Sequence, residues 1–210
     1  MAAAVLAMIE KKDIQGLIKQ GYGYLKHGKY LLLQLQDPGD FQHWLESHID
    51  SITPASASKP TQAISLAFTC EGLRTLGLPE DSLATFSREW RESMVTPERS
   101  ARLGDRQHND PNDWLWGAPH QERIDILLCG FFDSGKACND WVGAIRKLTF
   151  LKEIRALDTQ QLPHSKEHFG FRDGISQPAI KGLHNAGEDF NAIEPGEFIL
   201  GYRNEYDETP

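Results

Sequence analysis

Two short stretches toward the end of this sequence hold residues whose types and spacing could do chemistry. His164-Ser165-Lys166-Glu167-His168 fits H-x-x-E-H, in which two imidazoles hold a zinc ion and a glutamate acts as base. That chemistry needs both histidines on one face of a stable helix. Pro163 ahead and Gly170 behind leave room for about one helical turn, and no apolar stripe backs it, so solvated loop histidines are expected. Gly170-Phe171-Arg172-Asp173-Gly174-Ile175-Ser176-Gln177-Pro178 follows, with one carboxylate at G-x-x-D-G spacing. Asp-Gly is a standard turn dipeptide, so the residues alone favour a turn over a site. The acidic and amide run from Asp105 to Asp113 lacks the sixth-position Gly and twelfth-position Glu of a calcium loop and reads as a surface excursion. Gly21-Tyr22-Gly23 lacks the preceding strand and third glycine of a dinucleotide fingerprint, which leaves a flexible turn.

The elements that must position such residues are legible from periodicity. Tyr30 to Gln36 is a short apolar run ending at Asp37-Pro38-Gly39, hence a buried strand and a turn. Phe41, Trp44, Leu45, His48 and Ile49 recur at helical spacing, and Ala63 to Phe68 gives a second strand. Thr69 is an N-cap for a short helix closed by Gly77, and Pro79-Glu80-Asp81 opens another. From Met94 to Pro119 the pattern is lost. Ile124 to Phe132 forms a third strand; Ala137, Trp141, Ile145 and Leu148 form one helical stripe, and Leu151 to Leu157 a fourth strand. Strand-helix-strand, an insertion, then strand-helix-strand is the split βαβ, or ferredoxin-like, pattern of an α+β fold. The expected division is a module over residues 1–160, with a helical and irregular insertion at about 70–120, and a Gly-rich segment over 161–210. Met94, Trp44, Trp90 and Trp141 are expected in the core.

The chain has 210 residues, with 22 Lys and Arg against 30 Asp and Glu, a formal net charge of −8. Hydrophobic residues make up 40% and charged residues 25%, as in ordinary globular chains, which excludes disorder and a coiled coil. The acidic balance argues against a nucleic-acid partner. The apolar run Ala2 to Ile9 is too short to span a bilayer and lacks a charged leader, so neither membrane nor export is expected. Cys70, Cys129 and Cys138 form no C-x-x-C pair and suit a reducing compartment; the expectation is a cytoplasmic protein.

Gly170 to Pro178 resembles the G-x-x-D-G motif of the dye-decolorizing peroxidases, a haem enzyme family, and the resemblance extends further. Asp13-Ile14-Gln15-Gly16 is similar to that family's opening motif, and Ala67-Phe68-Thr69 through Gly72-Leu73 and Leu76-Gly77-Leu78 to its second strand and following helix. Leu103-Gly104-Asp105, Trp116-Gly117 and Pro195-Gly196-Glu197-Phe198 through Leu200-Gly201-Tyr202 resemble further landmarks, in order along nearly the whole chain. The resemblance implies a pair of ferredoxin-like modules, this chain being one half of a dimeric α+β barrel arrangement.

It also implies a function: a haem b peroxidase that uses hydrogen peroxide to oxidise an organic reductant. Asp173 would be the distal acid-base residue, carrying a proton from one peroxide oxygen to the other. An Asp of ordinary pKa, near about 4, stays ionised in mild acid where His is protonated. Gly174, Ile175 and Ser176 would line the haem edge, and Gly170 and Gly174 would let backbone lie close to the macrocycle. Arg172 could meet a propionate, although a lone exposed Arg is more simply a surface charge. Trp114, Trp116 or Tyr202 could relay oxidising equivalents, packing being the simpler role. The family's proximal His and distal Arg belong to the second module. No counterpart is found here, so the iron ligand is expected beyond Pro210, in a homo-oligomer or a complementing second-half chain. His184 could ligate iron by residue type, but the resemblance assigns it no such role. The alternative is a non-catalytic α+β association module or an inactive remnant that uses its uncovered sheet face for a partner.

Overall fold

Leu31, Leu33 and Leu35 alternate with Tyr30, Leu32 and Gln34, so one extended segment offers side chains to both faces of a sheet. A computed structural model describes residues 9–160, 162–172, 174, 177–184 and 192–209. The chain runs through α1 (Gly16–Lys19), β1 (His27–Leu35), α2 (Pro38–His48) and β2 (Gln62–Phe68). The short helices α3 (Cys70–Thr75), α4 (Glu80–Leu83), α5 (Arg88–Glu92) and α6 (Pro97–Leu103) then intervene. They are followed by β3 (Ile126–Phe132), α7 (Gly135–Ile145), β4 (Leu151–Asp158) and the two-residue strands β5 (Ala179–Ile180) and β6 (Ala192–Ile193).

The main sheet has the order β2-β3-β1-β4, with every neighbouring pair antiparallel. This is the ferredoxin-like α+β arrangement expected from the sequence: each strand-helix-strand unit contributes one central and one edge strand. One face of the sheet carries Leu31, Leu33, Leu35, Ile64, Leu66, Ile126, Leu128 and Phe132. It buries them against Phe41 of α2 and Cys138 and Ile145 of α7. Trp44 and Trp141 pack on this core as expected. Both covering helices start at side-chain caps: Asp37 accepts from the Asp40 N–H at 3.0 Å and Ser134 from the Ala137 N–H at 3.3 Å.

A polar pin closes the far end of the sheet. Asp125 is fully buried; its carboxylate accepts from Arg123 Nε at 2.5 Å and from the Leu35 N–H at 2.9 Å. Its carbonyl accepts the Thr69 N–H at 3.0 Å, and Thr69 Oγ1 in turn accepts from the Gly72 N–H at 3.0 Å as the predicted cap of α3. A Cβ on Gly72 would overlap the Asp125 carbonyl oxygen, which is why the first turn of α3 needs glycine there.

Two expectations are corrected. The stretch from Met94 onward is not without regular structure, since α6 runs through it, capped by Thr96 and closed by Gly104. Periodicity missed α5 and α6 because charge holds them rather than an apolar stripe. Arg88 pairs with Glu92 and Glu98, Arg99 with Glu89, and Arg102 with Glu98. Met94 is 49% exposed rather than in the core, because it sits in the turn between those two surface helices. Trp90 stacks on Phe86 at 4.5 Å and is half-buried.

Candidate functional site

The second face of the sheet carries Ser65, Cys129, Tyr30 and Leu157 in register across the four strands. Phe131 lies edge-on to Tyr30 at 5.9 Å, and Tyr22, Leu25 and Ala63 pack beside it. Tyr22, Leu25, Tyr30 and Phe131 floor a cleft of about 960 Å³. One wall is α1 with the turn that follows it, from Leu17 to Gly23; the other is formed by residues between Thr159 and His168 and between Gly174 and His184. Gly16, where α1 begins, has no room for a side chain, because a Cβ would run into the Tyr22 hydroxyl. The glycine of the D-I-Q-G stretch thus lets the cleft floor close up against α1.

Of the residues expected at the site, Gly174 lines this cleft together with Gln177 and Pro178. Asp173, Ile175 and Ser176 lie outside the described residues. The approach to Gly174 is a tight hairpin: Lys166 bridges Arg172, and the Glu167 N–H donates to the Phe171 carbonyl at 2.7 Å. Its tip presents Phe169 and Phe171, 68% and 74% exposed with ring centroids 6.1 Å apart. Arg172 is exposed, in line with a surface charge. The H-x-x-E-H stretch is a short 3-10 turn, Pro163–Ser165, running into that hairpin rather than a helix, and His164 and His168 are exposed, as the flanking Pro and Gly imply.

His184 is different. Its Nδ1 accepts from the Ile180 N–H at 2.9 Å, and its Nε2 donates to the Lys19 carbonyl at 2.8 Å. Both ring nitrogens are therefore engaged, and this imidazole is not open as an iron ligand. Trp114, Trp116 and Tyr202 lie outside the cleft lining. Trp114 Nε1 donates to the Asn109 carbonyl at 3.0 Å, and the Tyr202 hydroxyl accepts from the Glu10 N–H at 3.3 Å.

The cleft also gathers residues that no sequence motif flags. Among the described residues, Lys19, Lys26 and Lys166 line it against one acidic side chain, Glu167, although the chain as a whole carries −8. Lys166 lies far in sequence from Lys19 and Lys26, so no local spacing announces the three together. Burial raises the Tyr22 and Tyr30 hydroxyls above the usual phenol value, so the floor stays neutral and apolar. An apolar, aromatic floor with cations at the rim suits a flat ligand bearing anionic groups.

No protein-family model matches the chain. It is 28% identical to Peroxidase 2 of Mycetinis scorodonius over 94% of its own length and 39% of that protein's. It is also 28% identical to a dye-decolorizing peroxidase of Auricularia auricula-judae, over 97% of its own length and 40% of that protein's. A solved dye-decolorizing peroxidase in complex with 2,6-dimethoxyphenol superposes with a TM-score of 0.75 at 24% identity, covering 96% of this chain and 47% of the other. The chain spans about two fifths of the relatives it matches. Along nearly all of its own length the chain is similar in sequence to part of these peroxidases, and its fold is similar to part of the solved one.

Proposed function

We propose that this chain forms the distal face of a haem-dependent peroxidase of the dye-decolorizing type, which uses hydrogen peroxide to oxidise an organic reductant. The observation that carries the reading is similarity to peroxidases over 94–97% of the chain, including the G-x-x-D-G segment within its span. The cleft fits the cofactor: Tyr30 and Phe131 offer an aromatic floor, and Lys19, Lys26 and Lys166 offer cations for carboxylate arms. Gly174, Ile175 and Ser176 would lie along the edge of the macrocycle. Bound haem would supply the redox-active iron at which peroxide reacts.

The work of the chain itself is proton movement. The Asp173 carboxylate would take the proton from one oxygen of hydrogen peroxide and return it to the other. By the family resemblance, the histidine that would hold the iron belongs to the second module, on a further segment or a complementing chain, and His184, with both ring nitrogens engaged, would not take its place.

In this reading residues 1–160 are the structural module and 161–210 the haem-facing segment. Cys70, Cys129 and Cys138 are free and buried, which fits a reducing, cytoplasmic setting. Among the described residues no helix is long and apolar enough to cross a membrane. The test is Asp173→Asn in the haem-loaded protein. Peroxide-driven change of the haem absorbance slows about 10²- to 10⁴-fold while haem stays bound; an unaltered rate removes Asp173 from the reaction.

A further inference from the structure

We propose that His184 is a positioning residue for the G-x-x-D-G segment, a role that rests on the peroxidase reading above. Its imidazole sits where two parts of the chain far apart in sequence meet. Nδ1 accepts the Ile180 N–H at 2.9 Å and so keeps its lone pair; Nε2 carries the ring hydrogen and donates it to the Lys19 carbonyl at 2.8 Å. The two bonds select one neutral tautomer and hold the ring in one plane.

Packing alone would dock this segment without fixing its orientation. Ile180 and Leu183 bury against Ile14 and Ala55, an apolar contact with no directional preference. Lys11 Nζ reaches the Leu183 carbonyl at 3.3 Å and Lys19 Nζ the Ala55 carbonyl at 2.9 Å, both through long flexible stems. Lys181 pairs with Glu194 on the solvent side. Within the tail, β5 pairs with β6 and the Lys181 N–H donates to the Ile193 carbonyl at 2.9 Å; across to α1 the imidazole is the stiff contact, and it joins the two walls of the cleft. Gly174, Gln177, Pro178, Ile180 and His184 line one wall; Lys19 and Gln20 line the other. Gly174 lies on the same wall as the turn that His184 holds, and a displacement of about 1 Å at a reacting group costs on the order of 10²-fold in rate.

Two readouts separate the local contact from its consequence. In the 210-residue chain, the ring-nitrogen NMR signals of His184 show a single neutral Nε2–H tautomer. In His184→Leu the Ile180 amide exchanges with solvent about 10- to 100-fold faster, while β1 and β3 keep their protection. In the haem-loaded protein His184→Leu slows the peroxide step about 10- to 100-fold without releasing haem. His184→Gln, which keeps a donor and an acceptor at its tip, recovers part of the rate and guards against a variant that merely fails to fold. Unchanged exchange at Ile180 overturns the contact. Faster exchange with an unchanged peroxide rate overturns the positioning role. Asp173→Asn at full rate overturns the peroxidase reading and the positioning role together, while the exchange result for His184 stands by itself.

Discussion

The Gln15 carboxamide pairs with the backbone of Leu66 as a neighbouring strand would: Nε2 donates to the Leu66 carbonyl at 2.7 Å and Oε1 accepts from the Leu66 N–H at 2.8 Å. Leu66 belongs to β2, an edge of the main sheet, whose outward N–H and C=O groups would otherwise need water or a partner chain. One side chain thus satisfies both groups and anchors α1, and with it a wall of the cleft. This accounts physically for the middle of the D-I-Q-G stretch. Ile14 is buried, Gln15 closes the edge, and Gly16 leaves room for the Tyr22 hydroxyl.

Gln15→Leu removes both bonds while preserving bulk. We expect a loss of about 1–3 kcal/mol, read as a lower urea midpoint with an unchanged slope. A midpoint equal to wild type would show that water replaces the carboxamide at no cost.

Gly72→Ala places a methyl group against the Asp125 carbonyl oxygen, which is fixed backbone and cannot yield like a side-chain tip. The expected cost is about 2–4 kcal/mol, by overpacking. Asp125→Ala costs about 1–3 kcal/mol, since it leaves the buried Leu35 N–H without its acceptor, while the partly exposed Arg123 guanidinium keeps its bond to Thr75. Thermal melts followed by circular dichroism would rank the two; a wild-type melting temperature for either contradicts the pin.

Burial pushes the Cys129 thiol from an ordinary value of 9.0 up to about 11. Between those values the unfolded chain releases this proton and the folded chain holds it. Stability from this group is therefore complete below about 9 and falls as pH rises toward about 11. Cys129→Ala should flatten that alkaline decline, measured as denaturation midpoints across the window. Native protein at neutral pH should also react slowly with a thiol reagent at this position; rapid labelling without unfolding would contradict its burial.

On the peroxidase reading, haem titrated into the chain alone should give a broad absorbance change that does not saturate at one haem per chain, because the histidine that would hold the iron is expected on another segment; a saturating band abolished by His168→Ala would instead make the exposed His168 of the cleft lining the ligand. Added imidazole should sharpen the Soret band by supplying the axial ligand. A sharp, saturating band without imidazole would place an iron ligand within these residues.

Much of this protein was legible in the sequence because its determinants are local. The apolar run of β1, the four-residue rhythm of Trp141 and Ile145 in α7, and the cap at Thr69 act over a few residues each. Their order alone specified a ferredoxin-like sheet with an insertion after β2. The exposed setting of His164 and His168 also followed locally, from the proline and glycine around them. Tertiary structure decided the rest. The lysines of the cleft, the tie from His184 to Lys19, the Gln15 clasp on β2 and the Asp125 pin all join segments distant in sequence. Helices α5 and α6 escaped notice because their regularity lies in ion pairs, and Met94, in the turn between them, is about half exposed. Periodicity records which face of an element is apolar; which distant polar group meets which is fixed only when the sheet and its loops close on one another.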